Sequence, residues 1–297
     1  MNNINDDKLN FFQRNAKILV IFGVACGATS GVLGKLITAS SMAIGFYRLL
    51  FALPFFAVPV LLHHREELKS LEKKDYALCG ISGFFLFLHF FCWFNAVQTT
   101  TIASAVVLQS LHPLVVLLVT LLIFKQPVKM KAAFGIIIAL VGGVFIAGFN
   151  YTMTGNSVLG DVFAILTGIF YGLYFCVGNV ARKRITSSVY IFLVFFCCSL
   201  SFTVGMIVTS TPFGGYPPID FVWLILMTLI CQIGSHALFN WSLGYVSSLY
   251  ISTTAILDIV ISTVFAIIVI SEFPTLWQCI GAVIVITGLV IYNFNEK

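Results

Sequence analysis

The chain has 297 residues, of which 60% are hydrophobic and only 9% charged, with mean hydropathy +1.04 and formal net charge +5. A water-soluble domain carries about 25% charged residues, so a soluble core is excluded. A transmembrane β-barrel would alternate polar and apolar residues along its strands, which this chain does not do. Backbone groups in a bilayer must bond within their own segment, so runs of about 20 apolar residues read as spanning helices. The fold class expected is an all-α polytopic membrane protein.

Ten apolar runs separate in chain order, at roughly 16–37, 42–62, 76–95, 101–124, 131–149, 158–180, 188–210, 220–243, 247–270 and 275–294. The first is too long for the core of a signal peptide. The longest polar connector, His63 to Asp75, reads as a charged loop or short interfacial helix. With ten spans, Lys8, Arg14, Lys17, Arg65, Lys69, Lys73, Lys74, Lys125, Lys129, Lys131, Arg182, Lys183, Arg184 and Lys297 fall on one side of the membrane. These are fourteen of the sixteen Lys and Arg, leaving Lys35 and Arg48 within or at the edge of spans. That bias predicts cytoplasmic termini in a cell (inner) membrane. It also accounts for the net charge with no nucleic acid partner.

An internal repeat is visible. Residue n aligns with residue n + 147 at His89/His236, Ala96/Leu243, Lys125/Glu272 and Pro127/Pro274. A one-residue slip then matches Gly135 and Gly142 to Gly281 and Gly288. The units are 16–149 and 158–294, five spans each. An odd number of spans inserts the two copies in opposite orientations, an architecture of secondary transporters whose sites lie at the repeat interface.

Polar residues inside the spans are the candidate site. His89 and Trp93 share a face of span three, and Gln232, His236 and Asn240, four residues apart, line one face of span eight. Span four carries Gln109 and His112 before Pro113, which frees the Gln109 carbonyl or simply kinks the helix. Asp258 lies in an unbroken apolar run, where a carboxylate costs about 3 kcal/mol and marks a pathway or a site. It can couple protons or pair with a cation, of which Arg48 is the embedded example; a fixed structural pair is the plainer alternative. Asp258 aligns with Leu111 and has no acidic twin. Lys35 and Glu272 are expected to reach the interface.

Stripes of small residues, Gly23/Gly27/Gly31 and Ala164/Gly168/Gly172, are expected to let helices approach closely. The eight cysteines read as small packing residues, with no metal-ligand spacing. Tyr171, Tyr174 and Trp241 are assigned by default to aromatic belts, with a cavity wall as the alternative. No phosphate loop, nucleophile elbow or zinc-protease motif is present, so neither cofactor nor metal is predicted.

Several stretches carry a family resemblance: VACGATSGVLGK ending at Lys35, FYRLLFA around Arg48, the apolar run after Pro113, the corner at Glu272 and the glycine-rich last helix. Together they resemble the drug/metabolite transporter superfamily, specifically its EamA-type ten-helix permeases. The resemblance implies two tandem five-helix repeats and a secondary transporter of a small metabolite, with membrane lipid as surroundings. Two positions depart from the family pattern: Lys125 or Gln126 stands where an acidic residue is frequent, and Cys26 where a tryptophan is. The expected function is export of a small metabolite such as an amino acid, by uniport or linked to protons, from a monomer. The alternative is an intramembrane enzyme acting on lipid-linked substrates, for which His63 and His64 are the only paired histidines.

Overall fold

Runs of this length and apolarity close their backbone bonds as helices, and among the described residues no strand forms. The computed structural model describes residues 11–100, 102–147, 155–270 and 276–295. Seven helices among them are long and apolar enough to cross a membrane. They are α1 (Ala16–Leu36), α2 (Ser41–His63), α3 (Lys73–Thr99), α6 (Val158–Ala181, extending back to Gly155), α7 (Ser187–Val208), α8 (Pro218–Ser242) and α9 (Ser248–Val269). The remaining apolar segments are α4 (Ile102–Gln109 with His112–Leu122), α5 (Met130–Ala147) and α10 (Leu276–Asn295). In these three the uninterrupted apolar helix is shorter, and here the ten-span expectation goes beyond the seven long helices. The polar connector after α2 forms the short helix Arg65–Ser70. The expected corner at Glu272 and Pro274, and Lys8 and Lys297, lie outside the described residues.

Helices pack where side chains are small. Glycine at 23 and 27 of α1 admits α8: a Cβ on Gly23 would come within 2.8 Å of Phe239, and one on Gly27 within 2.9 Å of Ser235 Oγ. Gly168 and Gly172 of α6 do the same for α4, with the Gln109 and His112 carbonyl oxygens at 2.5 and 2.9 Å. α5 and α10 meet backbone to backbone. A Cβ on Gly135 would lie 2.8 Å from the Gly288 oxygen, and one on Gly142 2.7 Å from the Gly281 oxygen. The first index rises as the second falls, so α5 and α10 run antiparallel.

Two hydrogen-bonded latches tie connectors together at opposite ends of the bundle. Asp220, in the first turn of α8 and fully buried, accepts from the Thr38 hydroxyl (2.9 Å) and from the backbone N–H groups of Thr38 (3.2 Å) and Ala39 (3.0 Å). At the other end Arg184 approaches Asp75 (3.1 Å) and Glu72 (3.5 Å) at the start of α3, while Glu67 accepts from the Thr186 backbone N–H and hydroxyl. Lys74, 2.6 Å from Glu72, holds that carboxyl below the usual glutamate range. The Glu72 share of the latch is therefore present at neutral pH and is lost as pH falls through the lowered Glu72 pKa. Arg184→Gln is expected to lower the melting temperature, because it leaves the buried Asp75 carboxylate without its ion pair, and the part of the loss owed to exposed Glu72 should shrink in 1 M salt. A salt-independent change in melting temperature would contradict this.

Candidate functional site

Four helices depart from regular α geometry at one depth. α1 is interrupted at Ala28–Thr29 and α4 at Ser110–Leu111. α8 widens to a π-helix over Thr228–Ala237, and α9 tightens to a 3-10 turn over Ala255–Leu257. Such irregularities free or redirect backbone and side-chain groups, and inside a membrane they persist where protein surrounds them. Pro113 accounts for the break in α4, and the Gly234–Ser235 pair sits within the widened part of α8.

The breaks surround one cavity of about 40 Å³. Each contributes to the wall: Gly27 and Ser30, Gln109 and His112, Ser235 and His236, Ala255 and Asp258. Arg48 of α2, His89, Phe90 and Trp93 of α3, and Tyr171 of α6 complete most of the rest. That volume holds a few waters, far less than the 300 Å³ or more of a typical ligand pocket.

Five predicted substrate residues line this cavity together: His89, Trp93, Gln109, His236 and Asp258, with Arg48 among them. The His89 ring stacks on Tyr171 at 4.2 Å and 14°, with Nδ1 3.2 Å from the Thr167 carbonyl. The ring of His236 lies 5.8 Å from that of His89 and packs edge-on against Phe90. Trp93 donates its indole N–H to Ser30 Oγ at 3.1 Å. His112 spans two breaks, with Nδ1 3.0 Å from the Gln109 carbonyl and Nε2 2.9 Å from the Ser252 carbonyl. Both partners only accept, so a neutral ring donates to one of them at a time.

Gln232 and Asn240 are not part of the wall. A four-residue spacing keeps to one face only in a regular α-helix; the wider π turn fans the residues out, leaving only His236 of the three facing the cavity. Gln232 turns to Arg48, accepting from Nε at 2.7 Å. Asn240 accepts from the Tyr174 hydroxyl through its side chain and from Arg182 Nε through its carbonyl.

The supposed Arg48–Asp258 ion pair is also absent among the described residues. Arg48 is 1% exposed, with its guanidinium over the Phe90 ring at 4.3 Å. Asp258 Oδ2 faces Gln109 Nε2 at 3.5 Å. The belt assignment fails for Tyr171 and Tyr174, which are 6% and 0% exposed. Tyr171 takes the cavity-wall alternative, beside the small-residue stripe that brings α6 against α4, while Ser235 escaped the sequence reading as a site residue. His63 of the enzyme alternative is exposed at the end of α2, and His64 Nδ1 lies 3.5 Å from Glu67.

A multi-pass helical membrane protein that closes a small polar cavity among broken helices has the construction of a membrane transporter. The comparisons name the group. The chain belongs to the EamA-like transporter family, whose model matches it twice, over residues 15–148 and 158–294. It is similar to the uncharacterized transporter YxxF of Bacillus subtilis, 23% identical over 92% of this chain and 86% of that one. An uncharacterized transporter of Archaeoglobus fulgidus is 22% identical over 94% of this chain and 96% of its own. A solved crystal structure superposes with TM-score 0.73 over 95% of this chain and 98% of the other at 14% identity, a likeness of fold.

Proposed function

We propose that the protein is a secondary transporter of the cell (inner) membrane that exports a small metabolite by alternating access, as a uniporter or linked to protons. It acts as a monomer of ten spans in two inverted five-helix repeats, 16–149 and 158–294, with both termini cytoplasmic. The observation that carries this reading is the small cavity whose wall draws on breaks in both halves of the chain.

Two further features support it. α5 and α10, equivalent in the proposed repeat, run antiparallel, and their glycine contacts exchange under the repeat: Gly135–Gly288 becomes Gly281–Gly142. The latches lie at opposite ends of the bundle, and each joins connectors from both halves. Releasing one while holding the other opens the cavity to one side at a time. The Arg184 latch lies among the basic connectors and is the cytoplasmic one. A low-volume polar cavity enclosed by seven helices fits passage of a solute better than chemistry on a lipid-linked substrate, which needs access from the bilayer.

In proteoliposomes the purified protein should carry a small amphipathic solute down its gradient, with amino acids the first candidates. No flux across a broad metabolite panel would sink the reading. If Asp258 couples protons, Asp258→Asn should abolish stimulation of flux by a pH gradient. Undiminished stimulation in that variant would assign coupling to another group.

A further inference from the structure

Another opening lies on the outside of the bundle, where the start of α5 meets the end of α10. It is a furrow of about 410 Å³, lined by Lys131, Ala133, Phe134 and Ile137 of α5 and by Ile291 and Asn295 of α10. The glycine contact beside it accounts for its form. A Cβ on Gly135 would lie 2.6 Å from the Tyr292 nitrogen, so the two helices touch at their backbones and the side chains flanking that contact stand apart. Phe134 and Ile137 are exposed, at 58% and 49%. The walls are apolar except for Lys131 and for Asn295, whose amide donates to the Ile291 carbonyl at 2.8 Å.

Lys131 gives this apolar furrow a charged end. The ion pairs among the described residues join His64, Lys69, Lys74 and Arg184 to Glu66, Glu67, Glu72 and Asp75, and none involves Lys131. Lys125 and Lys129 precede it in the same connector, and residues 120–135 hold no Asp or Glu. The repeat-equivalent stretch, 267–282, holds Glu272 and no Lys or Arg. The positive charge thus marks one membrane surface, the cytoplasmic one in the orientation proposed above. A second copy of the chain is a poor occupant. Copies inserted the same way round pair about an axis along the membrane normal, which sets each patch against itself and Lys131 near its own counterpart. A zwitterionic lipid brings a cation of its own to the lysines. An anionic phospholipid supplies an acyl chain for the furrow and an uncompensated phosphate for its end, as basic pockets between spanning helices require.

We propose that the furrow between α5 and α10 is a binding site for an anionic phospholipid, with an acyl chain along Phe134, Ile137 and Ile291 and the phosphate on Lys131 Nζ. The lipid covers one end of the α5/α10 contact and not the other, a difference that the repeat itself does not contain. The site is separate from the central cavity and does not depend on the transport reading, so either can fail without the other.

The test titrates the full-length protein, purified in detergent micelles, with phosphatidylglycerol or with phosphatidylcholine of identical chains. Retained lipid is counted by native mass spectrometry, and melting temperature is followed in parallel, since a ligand of the folded state raises stability by mass action. Phosphatidylglycerol should bind about fivefold tighter, the factor that one lysine near the membrane surface contributes. Lys131→Gln should remove that preference and Lys131→Arg should keep it. Lys69→Gln, on the connector where Lys69 pairs with Glu66, should leave it intact. Ile137→Trp, which adds bulk to the furrow, should weaken both lipids. If that variant fails to fold, the exposed Lys131 variants decide the matter alone. Equal affinity for the two lipids, or a preference that survives Lys131→Gln, overturns the assignment. So does soluble glycerol 1-phosphate binding as tightly as phosphatidylglycerol, which would leave the acyl chain without a role. A dimer that tightens in Lys131→Gln would give the face to a second copy of the chain and overturn it as well.

Discussion

Gly288→Ala should lower the melting temperature of the purified protein more than any other single-methyl addition in α5 or α10. The new Cβ would fall 2.4 Å from the Ala139 nitrogen and 2.6 Å from the Gly135 oxygen. Both are backbone atoms that no rotamer change can move, so the helices must separate. Overpacking of this kind costs about 1–3 kcal/mol, and here it also removes the close approach on which association in lipid depends. The control is Gly80→Ala on α3, where a Cβ meets nothing within 4 Å. That variant should be neutral or gain up to about 1 kcal/mol from helix propensity. Equal melting temperatures for the two variants would refute the packing argument.

Asp220→Ala should have the second large effect, and it should reach function as well as stability. The carboxylate accepts from two backbone N–H groups and one hydroxyl at the turn between α1 and α2. Its loss strands the buried Ala39 N–H and releases the two donors of the exposed Thr38, at a cost of about 1.5–3 kcal/mol, the range for hydrogen bonds to a charged group. Asp220→Asn keeps an acceptor oxygen and should recover part of the loss. The consequence for transport is directional: without this latch, the end of the bundle away from Arg184 opens more readily. A cysteine placed at Ser30 of the cavity wall should then react faster with a membrane-impermeant thiol reagent from that side in Asp220→Ala, judged against the same cysteine in the native background. An unchanged rate, with a normal fall in stability, would leave Asp220 a cap and not a gate.

The functional weight of the molecule rests on contrast between its two ends and its middle. The ends are held by hydrogen bonds and ion pairs between connectors, interactions that are individually modest. The middle is held by glycine-mediated backbone contact along α1/α8, α4/α6 and α5/α10. Modest ties at the ends and close packing along the helices suit the alternating access proposed above, in which the ends release while the helices stay intact. At the centre, Arg48 and Asp258 carry charges that the protein itself does not pair.

The extent to which this was legible in the sequence differs by element. The helices were, because apolar runs in lipid have one way to satisfy their backbone, and the observed ends fall within a few residues of the predicted runs. The break in α4 was announced by Pro113, and the close helix pairs by the glycine stripes. The meeting of His89 with His236 was foreshadowed by their repeat-equivalent positions, and the rings lie 5.8 Å apart. Each of these signals is local, or is a repetition of a local pattern.

What the sequence determined by itself, then, is a membrane-embedded helical chain with buried polar residues at a few depths. It also marked helix faces of small residues along which a neighbour could approach closely, though not which neighbour. Only the tertiary structure decided which polar residues share a wall. The π turn in α8 sends Gln232 to Arg48 and Asn240 to Tyr174, and it leaves His236 facing the cavity. Arg48 and Asp258, plausible partners as isolated charges in a membrane, are each steadied by a glutamine from another helix. The physical reason is that side-chain direction in an irregular helix follows the local hydrogen-bond register, and that register is set by the neighbours a helix packs against.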